Sequence, residues 1–553
     1  ANEVAVAINQ RYPGKLVGMY AYNYHSPPPT VRVQPQVVIS VATAFLKGGL
    51  QLDDIISGWA VRGATLGIRE YYGVNVWDRD LPAAARGGNL DYLRRTIPEF
   101  HAKGAKFMSA ESSDNWGPNG LGYFLASRML WDVKQAEHGD ALVDDFLSRC
   151  FGPAKEPMRE FYQQLNGAQS HLVFDDQLGR MFRSLEAAKQ QLAGASDLDP
   201  QERKQIDARL NHLILYSRYV DLFDRYRYAK DATRQSAFES MIRHSYRMRH
   251  TMMVHAKAIY RDVVARDKQV SIPPGATWTV PEQQNPWKSS KPFTAVELAS
   301  YVREGIEGRP LLELDFEPVA FSEDLVPADT LKLDDVKPGV AQRGRGLRSF
   351  YTFIEQAPVT VSLRITGGLI AHYRDRGNVR VELWKIGGSS STGERETLTT
   401  TDQSVPPDGK TRTVSLPAKE RGLYRIDVSD GGDLTSVDWL PGQRICFKSS
   451  LDAPIKTNGR WSLYFYVPRG TRTIGLHAGS GGRILGPGGK ERLNLEGQTA
   501  GYHSIPVPAG DDGRLWKIQG ASGAIRLLTV PPYLARSTDE LLLPRAVVER
   551  DAR

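Results

Sequence analysis

Two glutamates, Glu70 and Glu111, each stand at the end of a short apolar run and open onto aromatic and polar side chains. Glu70 follows Ala64-Thr65-Leu66-Gly67-Ile68-Arg69 and precedes Tyr71 and Tyr72, with Trp77 and Asp78 in the next loop. Glu111 follows Lys106-Phe107-Met108-Ser109-Ala110 and leads to Asp114, Asn115 and Trp116. A third such end, after Leu16-Val17-Gly18-Met19-Tyr20-Ala21, offers Tyr22, Asn23 and His25. Carboxylates among aromatics suit sugars, whose C–H faces stack on rings while their hydroxyls bond to acids and amides. Cleaving a glycosidic bond takes one acid to protonate the leaving oxygen and a second carboxylate as nucleophile or base. Glu70 and Glu111 are the candidate catalytic pair on that chemistry. Tyr22, His25, Tyr71, Tyr72, Trp77, Asp114, Asn115 and Trp116 are the candidate substrate-binding residues. A plainer role competes for each glutamate: a hydroxyl binder, or a structural ion pair such as the neighbouring Arg69 offers Glu70.

Other chemistries lack their residues. The chain has no His-Glu-x-x-His helix, no Gly-x-Ser-x-Gly elbow and no zinc-finger spacing, and neither a metal nor a cofactor is expected. Gly479, Gly481 and Gly482 sit in a turn-rich region without the strand-to-helix setting of a phosphate loop. Cys150 and Cys446 are the only cysteines, too few for a disulfide framework. Asp53 and Asp54 read as helix-start residues and Trp59 as core, and Trp461 and Trp516 read as core rather than as a stacking platform. The net charge of +8 is spread along 553 residues. It favours anionic partners in general, but no basic run with interleaved aromatics points to nucleic acid. No apolar run is long enough to span a membrane.

The elements that must position these residues follow from hydrophobic spacing. Residues 1–122 alternate buried-strand runs, such as Val37-Val38-Ile39-Ser40-Val41-Ala42, with amphipathic helices, among them one capped by Asn89 and closed by Gly104. Four strands with intervening helices imply a parallel sheet, whose functional groups lie at the carboxyl ends of the strands. A complete (β/α)8 barrel takes about 250 residues. The expectation is therefore the C-terminal half of such a TIM-type barrel, with the chain starting in mid-barrel either as a fragment or after loss of a leader. Residues 123–270 carry helical spacing, as at Ile206, Leu210, Leu213, Ser217 and Val220, and predict a helical bundle. Residues 271–310 read as a linker and a short helix opened by a Thr294/Glu297 capping box. Residues 311–450 and 451–553 alternate apolar with polar between Gly-Gly and Pro-Gly turns, and predict two β-sandwich modules, the second of a carbohydrate-binding kind. The fold class is thus multidomain, α/β plus all-β.

One block is distinctive: Phe107-Met108-Ser109-Ala110-Glu111-Ser112-Ser113-Asp114-Asn115-Trp116-Gly117-Pro118-Asn119-Gly120-Leu121-Gly122-Tyr123, continuing to Met129-Leu130-Trp131-Asp132. With the Trp59-Ala60 helix and the Glu70-Tyr71-Tyr72 strand end, it resembles the bacterial DUF4838 proteins, relatives of the α-glucuronidase type of glycoside hydrolase. The likeness covers residues from about 15 to 135. It implies a glycosidase-like barrel, here its fifth to eighth strands, with the proton donor on an earlier strand and Glu70 at the place of a later-strand carboxylate. Two functions follow as alternatives. One is hydrolysis of a complex polysaccharide, anionic ones included, at Glu70 and Glu111, completed by an N-terminal half-barrel from the same precursor or another chain. The other is a non-catalytic glycan-binding or cell-surface structural protein on a retired barrel. Both expect a polysaccharide or oligosaccharide partner and a secreted, periplasmic or cell-surface location, and both leave an oligomer open.

Overall fold

The computed structural model describes residues 1–169, 171–338, 342–387 and 396–553. The chain forms two compact units: Ala1–Leu46 with Gln51–Leu312, and Lys47–Leu50 with Glu313–Arg553.

The first unit opens with α1 (Asn2–Arg11) and builds an α/β layer from β1 (Val17–Asn23), β2 (Val37–Leu46), α2 (Leu52–Val61), β3 (Thr65–Gly73), α3 (Asn75–Asp78), α4 (Leu90–Ala102) and β4 (Phe107–Ser112). The four strands pair in chain order and all in parallel. Side chains alternate across a strand, and the sequence loads one face with aliphatics. Ile39, Val41, Leu66 and Ile68 pack there with Ile55, Ile56 and Trp59 of α2 and Phe100 of α4. Each such burial contributes about 1.5–3 kcal/mol, enough to fix which face the helices cover. The other face carries Tyr20, Tyr22, Arg69, Tyr71, Phe107 and Glu111, by the register that pairs Tyr20 with Ser40, Ala42 with Arg69 and Tyr71 with Glu111. Tyr20 and Phe107 are exposed on it.

The four strands and their parallel order agree with the sequence, but the helix pattern breaks once. No helix joins β1 to β2; a loop does, through Pro27, Pro28 and Pro29. Consecutive prolines lack the amide donors a helix needs. The loop is fixed instead by Trp59, whose indole N–H donates to the Ser26 carbonyl at 2.9 Å. Four parallel strands with helices establish an α/β layer; they do not establish a half-barrel.

Helices α5 (Gly120–Trp131), α6 (Gly139–Phe151), α7 (Lys155–Leu165), α8 (Phe174–Gly194), α9 (Pro200–Tyr228), α10 (Asp231–Arg247), α11 (Ala256–Arg266) and α12 (Ala295–Gly308) complete the unit. Their core is continuous with the α/β layer: Tyr72, Leu93 and Ile97 join Leu125, Met129, Phe182 and Leu213 in one cluster. The stretch before α12, read as a linker from its prolines and glutamines, packs on this bundle. Trp287 is buried and meets Phe238 edge-on, with ring centroids 6.1 Å apart, and Trp278 meets Tyr260 at 5.2 Å. Arg309, just past α12, donates to the buried Asp221 at 2.9 Å and Asp224 at 2.8 Å on α9. The Thr294/Glu297 capping box forms as expected.

The second unit is all-β apart from short helical turns and one short α-helix, Arg545–Asp551. A ten-stranded sheet runs from Glu396–Val405 at one edge to Glu491–Asn494 at the other. A four-stranded and a three-stranded sheet accompany it, and residues of all three share one core that includes Phe350, Trp439, Leu476 and Trp516. The expected boundary near residue 450 does not divide the sheets. Tyr533–Ala535, from the second set of strands, pairs with Ile445–Lys448 of the first and with Arg460–Val467 of its own. Trp461 and Trp516 are buried, as read. Among the described residues no helix is long and apolar enough to cross a membrane.

Candidate functional site

The ends of the parallel strands gather a cleft on the face opposite the helices. Tyr20 and Tyr22 come from β1, Phe45 from β2, Arg69 and Tyr71 from β3, Trp77 from α3 and Glu111 from β4; Val74 and Val76 complete a cavity of about 410 Å³. The period of two along each strand puts Tyr20 with Tyr22 and Arg69 with Tyr71 on this face. The rings form a continuous wall: Tyr22 to Phe45 at 5.7 Å, Phe45 to Tyr71 at 5.9 Å, Phe45 to Trp77 at 5.5 Å and Tyr71 to Trp77 at 5.5 Å. Tyr20, Phe45 and Trp77 remain exposed. Burial, reinforced by the neighbouring Tyr22, raises the Tyr71 hydroxyl above its usual range, so it stays a protonated donor.

One ion pair stands inside this wall. Arg69 Nη2 donates to Glu111 Oε2 at 3.2 Å, with the arginine 26% and the glutamate 45% exposed. At that exposure the pair is worth at most about 1 kcal/mol. Both groups can therefore share their hydrogen bonds with a ligand at little cost.

Glu70 is elsewhere. Its side chain is fully buried on the helix-covered face, among elements that include α4. Its Oε1 accepts from Tyr92 Oη at 2.5 Å; its Oε2 accepts from the Tyr71 amide at 2.8 Å and from Arg86 Nη1 at 3.4 Å. Burial, and then the Glu70 charge, hold the Tyr92 hydroxyl well above its usual range, which keeps it a donor to the carboxylate. The expected Glu70–Glu111 pair is thus corrected: consecutive residues on a strand point to opposite faces, and Tyr71, not Glu70, stands beside Glu111. Arg69 likewise pairs with Glu111 rather than with Glu70.

The other expected residues divide. Tyr22, Tyr71 and Trp77 line the cleft. Tyr72 faces the helices, with its hydroxyl at 3.3 Å from Met108 Sδ and its ring stacked on Tyr123. His25 lines a separate cavity with Tyr24, Met19 and Trp59. Asn115 is buried and accepts from Tyr123 Oη at 3.0 Å, and Trp116 packs on the Tyr123 ring at 4.9 Å. Asp114 lies 3.5 Å from His255 Nε2.

That last contact belongs to a second polar cluster, which the sequence did not reveal because His255 follows by more than a hundred residues. Asp80 Oδ2 accepts from the His255 amide at 2.8 Å and from Asn75 Nδ2 at 2.7 Å. Asp78 accepts from the amides of Val74 at 2.7 Å and Asp80 at 2.9 Å. Burial, and then the charge of Asp78, push the Asp80 carboxyl up to about 7. Arg79 and Asp80 both hold φ of 54°, an unusual pair for residues with side chains. The hydroxyls of Tyr219 and Tyr216 bind their carbonyls at 2.7 and 2.9 Å and hold that turn. Among the described residues no group of three or more His, Cys, Asp or Glu side chains is arranged to hold a metal ion.

The segment that builds the sheet, the cleft and the Glu70 network is similar to one known family model. Residues 1–164 match the DUF4838 model, a domain of unknown function. The DUF4838 segment contains the Glu111 block and ends within α7, so His255 lies outside it. No curated protein matches the chain. Among solved structures, a GH138 enzyme targeting pectin rhamnogalacturonan II is 9% identical, covering 73% of this chain and 68% of its own at a TM-score of 0.14. The Bacillus thuringiensis insecticidal crystal protein Cry7Ca1 is 8% identical over 80% of this chain and 98% of its own, at 0.13. The delta-endotoxin Cry8Ea1 from Bacillus thuringiensis is 10% identical over 89% and 92%, at 0.12. TM-scores this low carry no argument about the DUF4838 segment or the rest of the chain.

Proposed function

We propose that the open face of the β1–β4 sheet is a glycan-binding cleft, with Trp77, Phe45, Tyr71 and Tyr22 as the stacking wall and Arg69 and Glu111 as the hydroxyl-binding pair. The observation that carries this reading is the aromatic wall closed around an exposed Arg69–Glu111 pair. Its volume of about 410 Å³ falls within the roughly 300–1,000 Å³ of small-molecule sites. Arg69 admits a carboxylated sugar as well as a neutral one. A polysaccharide or oligosaccharide partner goes with a secreted, periplasmic or cell-surface location.

Hydrolysis is the further step in this reading. Glu111, partly exposed at a strand end, has the position of one glycosidase carboxylate, and Glu70 does not supply the other. The four strands would then be half of a (β/α)8 barrel, and the partner carboxylate would come from an N-terminal half-barrel of the same precursor or of another chain. Without it, the cleft binds and does not cleave.

A panel of neutral and uronate-containing oligosaccharides, titrated calorimetrically against the full chain, tests the reading. Trp77→Ala is expected to weaken the best ligand roughly tenfold or more, the loss of an aromatic stacking anchor. Glu111→Gln should weaken it too, and should remove any turnover detected by product analysis. Glu70→Gln should leave affinity unchanged, because that carboxylate faces the helices. A panel in which nothing binds, or a Trp77→Ala protein that binds as the parent does, rejects the cleft.

A further inference from the structure

Arg348, in the second unit, is 6% exposed, and its guanidinium is only partly satisfied. Nη2 donates to the Thr435 carbonyl at 3.0 Å, while Nε and Nη1 meet no acceptor among the described residues. The hydroxyl of Thr457 is also buried without a partner. Both residues stand in the wall of one cavity of about 340 Å³, beside the apolar Phe350, Phe447 and Ile455 and the exposed Lys456.

Apart from the exposed Lys456 and Asp452, the other charges around this cavity are already matched. Asp427 accepts from Ser349 Oγ at 2.6 Å and from Arg425 Nε at 3.1 Å, and Arg425 also holds Glu396. Lys448 pairs with Glu323. Asp430, the acid whose field reaches Arg348, spends its oxygens on the amides of Gly346 and Gly432 and on Thr435 Oγ1. Arg348 makes no ion pair among the described residues. Burial lowers its pKa only to about 10, so it remains a cation at neutral pH. Buried charges in folded proteins are found paired, because an unpaired one forfeits its hydration without return.

We infer that this cavity binds a small ligand through an oxyanion group, with Arg348 and Thr457 as its donors and Phe350, Phe447 and Ile455 against its apolar body. A guanidinium with free N–H groups beside a hydroxyl recognises carboxylate, sulfate and phosphate alike. The volume limits the ligand to a small molecule or the end group of a chain. Lys456 at the rim draws the anion in, against the exposed Asp452.

The test uses the full chain in chloride buffer, titrated separately with glucuronate, inorganic sulfate and inorganic phosphate, with chloride at matched ionic strength as control. Saturable binding of at least one of these, one per chain, with a rise in Tm that follows occupancy, is the expected result, and the anion that binds identifies the headgroup. Arg348→Met should abolish the binding and the shift. Thr457→Val should weaken binding several-fold, and it decides the matter if Arg348→Met does not fold. Glu111→Gln, at the other site, should leave both unchanged, so this inference and the glycan cleft fail separately. No saturable binding beyond chloride, or affinity unaltered in Arg348→Met or, where that fails to fold, in Thr457→Val, overturns it.

Discussion

Burial and the charge of Asp78 give Asp80 a carboxyl that titrates near neutrality, with a consequence for stability. Its Oδ2 takes two donors, but its buried Oδ1 meets none, so the ionised form has one oxygen left without hydration. The native value of about 7 lies above the usual 3.8, so the folded protein holds this proton where the unfolded chain has released it. Stability from this group is therefore complete below about pH 4 and is lost as pH rises through about 7. Asp80→Asn cannot ionise, so its Tm relative to the parent should climb between pH 5 and pH 8 in thermal unfolding at the two values. A difference that does not change with pH would reject the assignment. Neither Asp80 nor its partner His255 was legible, since their contact joins segments distant in sequence. Glu70 was partly legible: counting by twos from the apolar Leu66 and Ile68 places it on their face, toward the helices. The cluster Glu70-Tyr71-Tyr72 drew attention to the strand end but hid that only its middle residue reaches the cleft. Tyr20 and Arg69 were missed for the same reason, being read as strand or as an ion-pair partner instead of as a face, and Phe45 lies past Ala42, where the strand run was taken to end.

At the scale of elements, spacing found the helices and strands more readily than their close approaches. The spacing of Tyr123, Ala126 and Leu130 announces α5, yet Leu130 is half-exposed and the buried stripe runs through Leu121, Leu125 and Met129. The approach that decides this packing is a glycine. A Cβ on Gly122 would stand 1.7 Å from the Gly87 carbonyl oxygen. Gly87 lies in the turn Arg86–Gly88, which also brings Arg86 to Glu70. Alanine in a helix gains about 1 kcal/mol over glycine, whereas overpacking against backbone costs about 1–3 kcal/mol and occasionally more. At 1.7 Å from a carbonyl that cannot rotate away, the clash wins. Gly122→Ala should lose roughly 2 kcal/mol or more in denaturant unfolding, despite the better propensity. A neutral or stabilising result would mean that α5 lies farther from this turn. The helix at Asn89 shows the opposite case, where everything needed is local: its side chain accepts from the Tyr92 amide at 2.9 Å, as the sequence predicts.

At the scale of the molecule, the sequence separated an α/β and helical part from a β-rich part, and the two compact units fall on that line. It went further than the fold allows in dividing the β-rich part into two modules, since strand patterns carry no record of which strands neighbour each other. The strand Tyr533–Ala535 lies between Ile445–Lys448 and Arg460–Val467. The strand Leu542–Pro544 pairs with Leu325–Pro327, so the end of the chain returns to the start of the unit. Around these strands Leu325, Leu423 and Cys446 share a cluster with Tyr466, Tyr533 and Leu541–Leu543. Residues 313–450 alone would expose that cluster and leave Ile445–Lys448 as an unpaired edge. Residues 313–553 keep the ten-stranded sheet and both apolar clusters intact, and Lys47–Leu50 contribute no side chain to either. The longer fragment is expected to give β-type circular dichroism and one cooperative thermal transition, and the shorter one to be unfolded or aggregated. Equal stability of 313–450 would restore the two-module division, because it would show that the first set of strands closes its core without the second.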